Sequence, residues 1–154
     1  MNKKTNARRE TKPLDTTELD WVPIVPGLSF KPITYFPDNS GWQLLLRLEP
    51  GTVVPPHRHT GEVHAFNVQG SRYLINTKEV IGPGTYVYEP PGNCDTWRQH
   101  GDEACVVHIE VNGSIEYIDE KGNVTRVSDA RESQTMYLEW CEKHGQPARV
   151  ATYL

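Results

Sequence analysis

Two histidines separated by a single residue, His57 and His59, are the side chains of this sequence best suited to chemistry. On a β-strand, residues i and i+2 share one face at a separation of roughly 6.5 to 7 Å, so both imidazoles can approach one ion while Arg58 points away. A third histidine, His64, follows ahead of Gly70. Because neutral imidazole is a common metal ligand, this spacing predicts a metal site.

The composition is that of a mildly acidic chain of 154 residues, with 16 Lys and Arg against 20 Asp and Glu. This length suits one domain with its own core. The charge balance argues against nucleic acid or an anionic membrane as the main partner and leaves a small neutral or anionic metabolite open as the substrate. The longest aliphatic run, residues 44–46, is far shorter than the roughly 20 residues that span a bilayer.

The N-terminus and the cysteines indicate a cellular compartment. Residues 1–12 are basic, but no apolar segment follows them, so they resemble a solvated tail and not a secretory signal. Cys94, Cys105 and Cys141 are odd in number and widely spaced, which favours reduced thiols over a disulfide framework. Both observations predict a cytoplasmic protein.

Turn-forming residues divide the chain into short segments typical of β-strands. Glycine and proline occur 12 times each and separate runs of apolar, β-branched and aromatic residues. The predicted strands are residues 21–25, 28–36, 41–48, 52–59, 63–69, 72–76, 85–89, 95–99, 104–111 and 114–118. So many short strands favour a barrel or a sandwich.

One segment near the C-terminus has the pattern of a helix. Ser128 or Asp129 can cap its N-terminus, Met136 and Trp140 follow helical spacing, and Gly145 stops it. The apolar stripe predicts that this helix packs on the outside of the β body.

Two spaced patterns resemble the two motifs of the cupin family. The first is Gly51-x5-His57-x-His59-x4-His64-x5-Gly70, and the second is Gly84-x5-Pro90-x-Gly92-x2-Asp95. More narrowly, the segments PPHRHTGEVHAF and GTYVYEPPG and the C-terminal helix are similar to the single-domain cupins of the 2,4'-dihydroxyacetophenone dioxygenase and acetylacetone-cleaving dioxygenase family. This resemblance covers roughly residues 20–150.

The resemblance implies an all-β fold, the cupin double-stranded β-helix or jelly-roll-like barrel, with one C-terminal helix. Residues 1–18 would be a flexible tail and residues 19–154 the cupin domain. It also implies a non-haem dioxygenase that binds Fe(II) inside the barrel and uses O2 to cleave a carbon–carbon bond next to a carbonyl. The expected substrate is a small carbonyl compound such as a β-diketone or an α-hydroxyketone, and Zn, Ni or Mn are alternative metals.

This chain departs from the family at the third ligand. His57 and His59 match the first two ligands, whereas the place of the third histidine is taken by Asp95. Two histidines and a carboxylate form a facial triad, which leaves positions on iron(II) open for substrate and O2. His64 lies where many cupins have glutamate, so His64 and Asp95 together would keep three imidazoles and one carboxylate. Alternatively, the aspartate is too short and the site binds metal weakly or not at all.

Other residues of the two motifs have predicted roles. Glu89, the candidate catalytic residue, matches an acidic residue of the family and could accept the free ring N–H of a ligand histidine. His64 is either a metal ligand or a hydrogen-bonded interior histidine. The candidate walls of the cavity are aromatic: Phe66, Tyr86, Tyr88 and Trp97.

Two further function classes stay open. The same ligands with a redox-inert metal suit an isomerase, a lyase or a hydrolase. A non-catalytic metal- or ligand-binding module is the other class, because similar cupin domains occur in zinc-binding regulators. The β body has strand edges to cover, which predicts a homodimer.

Overall fold

The computed structural model of the protein describes residues 13–153. In these residues it contains twelve strands: β1 (Val22–Val25), β2 (Leu28–Tyr35), β3 (Gly41–Leu48), β4 (Val53–His59), β5 (Val63–Gln69), β6 (Ser71–Leu74), β7 (Glu79–Ile81), β8 (Tyr86–Glu89), β9 (Cys94–His100), β10 (Cys105–Asn112), β11 (Ile115–Ile118) and β12 (Val124–Ser128). One α-helix, α1, spans Ala130–Lys143, and short 3-10 helices span Thr16–Glu18 and Pro37–Asn39.

The strands form two antiparallel sheets of six strands each. The first sheet has the order β1-β2-β3-β10-β5-β8, and the second has the order β12-β11-β4-β9-β6-β7. Strands distant in sequence are neighbours, since β10 pairs with both β3 and β5. This is the all-β, jelly-roll-like body that the sequence predicts.

The core lies between the two sheets because alternate residues of each strand point inward. In β3, Trp42, Leu44 and Leu46 are buried, while the residues between them are more exposed. Ile109 and Val111 of the neighbouring β10 are buried in the same way. Removal of this apolar surface from water is the main source of stability for such a body.

All ten predicted strands are confirmed, with ends displaced by at most two residues. The prediction missed β7 and β12. Strand β7 has only three residues, and β12 has exposed side chains at Val124–Val127, so neither has the apolar alternation that marks a half-buried strand.

The predicted helix is confirmed as α1. Asp129 is its N-cap and accepts a hydrogen bond from the Glu132 backbone N–H at 2.9 Å. Ala130, Tyr137 and Cys141 are buried, and the helix contacts β1 and β2. The helix therefore packs against the β1–β2 edge of the first sheet.

Residues 13–18 fall in the predicted tail and are described, whereas residues 1–12 of that tail lie outside the described residues. The Thr16 carbonyl accepts a hydrogen bond from Lys31 Nζ at 2.8 Å, and Glu18 pairs with Arg149 at 3.2 Å. Among the described residues, none of the helices is long and apolar enough to cross a membrane.

Candidate metal centre

Strand β4 places His57 and His59 on the inner wall of the barrel. Its pairing with β9 shifts register between Val54 and His57, where two consecutive prolines occur. This irregularity changes the parity of the strand, so Val54, His57 and His59 all point inward. Both histidines are 4% exposed, and their ring centroids are 4.9 Å apart. The structure thus brings together the two histidines that the sequence singles out.

The local backbone defines the tautomer of His57. Its Nδ1 lies 2.8 Å from the Pro55 carbonyl oxygen, which can only accept a hydrogen bond. Nδ1 therefore carries the proton, and in the neutral ring Nε2 keeps its lone pair. This is the form of imidazole that binds a metal.

His59 is buried without a close polar partner. Its Nδ1 has no hydrogen-bond partner among the described residues, and its Nε2 lies 3.9 Å from Glu89 Oε2, too far for a good hydrogen bond. Burial and the nearby His57 lower the pKa of His59 to about 3. Burial also lowers the pKa of His57, against the opposing effects of the Pro55 carbonyl and Asp95. Both rings are therefore neutral at neutral pH.

Glu89 ends β8 and is buried beside this pair. Its Oε1 accepts a hydrogen bond from Asn93 Nδ2 at 2.9 Å. Burial, and then repulsion from Asp95, raise the pKa of Glu89. The predicted bond to a ligand ring N–H is not formed, because the separation from His59 is 3.9 Å.

Asp95 lies on β9 directly opposite His57 in the strand pairing. It is buried, and its Oδ1 accepts a hydrogen bond from the Thr96 backbone N–H at 2.9 Å. The preceding Cys94 is exposed on the other face of the strand. Asp95 is therefore adjacent to the imidazole pair, as the sequence predicts.

These side chains do not yet form a closed coordination sphere. Within residues 13–153, no three His, Cys, Asp or Glu side chains converge closely enough to hold a metal ion. The two imidazoles and two carboxylates are neighbours, but their donor atoms do not meet at one point.

The position of His64 does not match the expectation that it joins the ligand set. Strand alternation turns Val63 and Ala65 inward and His64 outward. Its Nδ1 is hydrogen-bonded to the Tyr86 hydroxyl at 2.6 Å, and its Nε2 lies 3.4 Å from Glu62. His64 is thus neither an interior histidine nor a neighbour of His57. It does not supply the third imidazole that Asp95 replaces.

Arg72 is a site residue that the sequence analysis missed. It is 2% exposed and lines the same cavity as His57 and Glu89. Its Nε donates to Asn67 Oδ1 at 3.1 Å, and its guanidinium lies 4.7 Å from the centroid of the Trp97 ring. Burial lowers its pKa, while Glu89 and Asp95 act in the opposite direction. Arg72 lies two residues before the buried Leu74 on β6 and therefore shares its strand face. This alternation is the signal in the sequence that points to a buried position.

A cavity of about 100 Å³ opens beside these groups inside the barrel. Its walls are mostly apolar, with Val54, Trp97 and Ile109 among them. Residues of β11, β12 and α1 also line it: Ile115, Tyr117, Arg126, Ser128, Glu132, Ser133 and Met136. The cavity is a concave, apolar space with a few polar groups at one place, which is typical of a small-molecule site.

Of the four aromatic residues predicted as walls, only Trp97 lines this cavity. Phe66, Tyr86 and Tyr88 are 44%, 54% and 49% exposed on the outer face of the first sheet. The expectation was wrong for these three because β5 and β8 turn their alternate aliphatic residues, Ala65 and Val87, inward.

The two-sheet barrel with an imidazole pair on its inner wall defines the protein as a cupin. A family model described as the ChrR cupin-like domain matches residues 10–113. The chain therefore belongs to the ChrR cupin-like family. No match was found among curated proteins.

Solved structures with the same fold include proteins of several kinds. An RmlC-like cupin protein from Ralstonia eutropha JMP134 is 28% identical over 91% of this chain and 92% of its own, with a TM-score of 0.84. An acetylacetone dioxygenase from Acinetobacter johnsonii is 19% identical over 90% of this chain and 97% of its own, with a TM-score of 0.74. The anti-sigma ChrR, in complex with SigE of Rhodobacter sphaeroides, is 16% identical over 64% of this chain and 52% of its own, with a TM-score of 0.56.

Proposed function

We propose that this protein is a metal-dependent cupin dioxygenase that cleaves a carbon–carbon bond next to a carbonyl of a small substrate. The observation that carries the proposal is the pair of neutral, buried imidazoles beside Glu89 and Asp95 at the wall of an apolar cavity. Similarity in fold to an acetylacetone dioxygenase supports the same class of reaction. The substrate would be a β-diketone or an α-hydroxyketone.

The chemistry of the donor groups fits a divalent cation. His57 and His59 are neutral, and His59 Nδ1 is buried without a partner among the described residues. Glu89 and Asp95 are two buried carboxylates that repel each other. A cation would relieve this repulsion, so His57, His59 and Asp95 would hold Fe(II), with Glu89 beside them. The metal, when bound, would supply a Lewis acid for carbonyl oxygens and electrons for O2.

The chain's own residues would prepare the substrate. Glu89 Oε1 is occupied by Asn93, which leaves Oε2 to take the acidic proton between the two carbonyls of a β-diketone. The raised pKa of Glu89 suits this exchange near neutral pH. Apolar walls such as Val54 and Trp97 would exclude water from the resulting enolate.

Metal analysis and oxygen uptake test this proposal. Protein purified without oxygen is analysed for metal, together with His57→Ala, Asp95→Ala and the control His100→Ala, whose side chain is exposed on β9. We expect near-stoichiometric iron in the wild type and the control, its loss in the two ligand variants, and O2 uptake with acetylacetone or a hydroxyacetophenone. A wild-type protein that binds iron but consumes no O2 with any diketone or hydroxyketone contradicts the dioxygenase.

A second candidate is a non-catalytic metal-binding module or a cupin with a redox-inert metal. It is favoured by the aspartate at the third ligand position and by the match to the family of the ChrR cupin-like domain. Stoichiometric zinc, nickel or manganese in the purified protein, without O2 uptake, would support this candidate in place of the first.

A further inference from the structure

The guanidinium of Arg72 is a buried charge whose hydrogen bonds are incomplete. The side chain is 2% exposed, and its Nη2 has no hydrogen-bond partner among the described residues. None of the ion pairs within residues 13–153 includes it. A buried cation without a bonded anion is unfavourable, and this one lies on the wall of a cavity.

The guanidinium is nevertheless fixed in place. Asn67 Oδ1 accepts from its Nε at 3.1 Å, and Asn67 Nδ2 donates to the Gly70 and Ile81 carbonyls at 3.3 and 3.2 Å. Trp97 covers one face of the guanidinium at 4.7 Å. Since Asn67 and Trp97 are themselves buried, the terminal nitrogens of Arg72 are presented from a rigid support.

We infer that Arg72 is the anchor for an oxygen anion of the ligand, either a carboxylate or the enolate of a 1,3-dicarbonyl compound, whose apolar body fills the cavity. A planar guanidinium binds two oxygens of a delocalised anion side by side. The cavity of about 100 Å³ beside the guanidinium limits the ligand to a small anion. Val54 and Ile109 supply the apolar contact.

This inference rests on the proposed function for the identity of the anion as substrate. In that reaction a divalent cation would neutralise Glu89 and Asp95, so the positive charge of Arg72 would be left for the ligand. Asn67 and Trp97 are positioning residues, because they act on the ligand through Arg72.

Binding to metal-free protein tests the anchor. Benzoate is compared with its neutral isostere benzamide, and acetylacetone with the monoketone 2-pentanone, by calorimetry at low ionic strength and again on zinc-loaded protein. We expect benzoate, or acetylacetone bound as its enolate with its proton released to the buffer, to bind ten-fold or more tighter than its neutral counterpart. Preference for benzoate alone identifies a carboxylate ligand, and preference for acetylacetone identifies an enolate.

The variants separate Arg72 from general effects. Arg72→Gln should lower the affinity for the preferred anion at least ten-fold and the affinity for its neutral counterpart less than two-fold. Arg72→Lys should retain part of the preference for the anion. The matched control is Arg98→Gln, because Arg98 is exposed and stacks on Tyr73 at 4.8 Å, in a contact much like that of Arg72. If Arg72→Gln does not fold, a crystal of wild-type protein with 4-bromobenzoate should show the carboxylate on Arg72.

The proposed role of Arg72 is wrong if the anionic and neutral probes bind equally. It is also wrong if the carboxylate lies elsewhere in the crystal. Its failure is distinguishable from failure of the proposed function. If the protein binds iron and consumes O2 but shows no preference for anions that depends on Arg72, only the proposed role of Arg72 is excluded. If the protein prefers anions through Arg72 but binds no metal, only the dioxygenase proposal is excluded.

Discussion

His57 and Asp95 are paired residues on adjacent antiparallel strands, β4 and β9, with both side chains buried in the same barrel wall. Cross-strand neighbours lie about 4.5 to 5.5 Å apart at Cβ, so a carboxylate at position 95 can approach an ion held by the imidazole of His57. The pairing makes Asp95 a candidate ligand by position, and its short side chain limits its reach.

Substitution of Asp95 tests whether its charge or only its position matters. We predict that Asp95→Asn lowers the affinity for zinc or Fe(II) by roughly ten-fold or more, since an amide is a weaker, neutral donor. Asp95→His should keep the metal, because a longer neutral donor takes the same place. Competition with a chelating dye measures both.

Thr96→Ser is the control for these variants, since it leaves the backbone N–H donor to Asp95 in place. Unchanged affinity in Asp95→Asn would exclude Asp95 from the ligand set and leave Glu89 as the carboxylate donor.

His59 predicts a dependence of stability on pH in metal-free protein. Its pKa is about 3 in the folded state, below the roughly 6.5 of an unfolded histidine, so the unfolded chain binds more protons between these values. Its contribution is fully present above pH 6.5 and is lost as the pH falls towards 3, by about 1.4 kcal/mol per pH unit.

Guanidinium unfolding curves from pH 7.5 to 4 measure this effect as the difference between wild type and His59→Asn. The difference removes the contribution of Glu89, whose raised pKa acts in the opposite direction. His100→Asn, at an exposed position, should follow the wild type. Parallel curves for wild type and His59→Asn would mean that His59 is not held neutral by burial.

Residue spacing predicts part of this site but not all of it. His57 and His59 were found because residues i and i+2 share a face in any strand. Glu89 and Asp95 were found through their place in the second motif. His64 was misplaced because it shares a strand face with the apolar Phe66 and Val68, which are exposed here, whereas Val63 and Ala65 point inward.

Arg72 was missed for a different reason. A charged residue on a strand is usually solvent-exposed, so its alternation with the buried Leu74 was not enough to place it inside. Tertiary contacts bury Arg72: Asn67 Oδ1 accepts a hydrogen bond from its Nε, and the Trp97 ring of β9 covers its guanidinium. Neither contact leaves a signal in the local sequence.

Asn67 is predicted to be essential for stability as well as for positioning Arg72. It is fully buried and bonds to Gly70, Ile81 and Arg72. Asn67→Ala leaves these buried groups without partners, which costs about 2 to 4 kcal/mol in the free energy of unfolding. Asn76→Ala is the matched control, because Asn76 is exposed and its side chain donates to the Cys94 carbonyl at 3.0 Å. Equal effects in urea titrations would contradict a special role for Asn67.

The two motif glycines Gly70 and Gly84 should respond differently to alanine, although both have positive φ, +62° and +86°. A Cβ on Gly70 would lie 2.3 Å from the Ala104 carbonyl oxygen, whereas on Gly84 it would meet nothing within 4 Å. Gly84→Ala then costs only the left-handed strain, about 1 to 2 kcal/mol. Gly70→Ala must also displace the strand at Ala104, so we expect a loss at least twice as large by thermal or urea unfolding. Equal losses would show that the turn before β6 can move away from Ala104 at little cost.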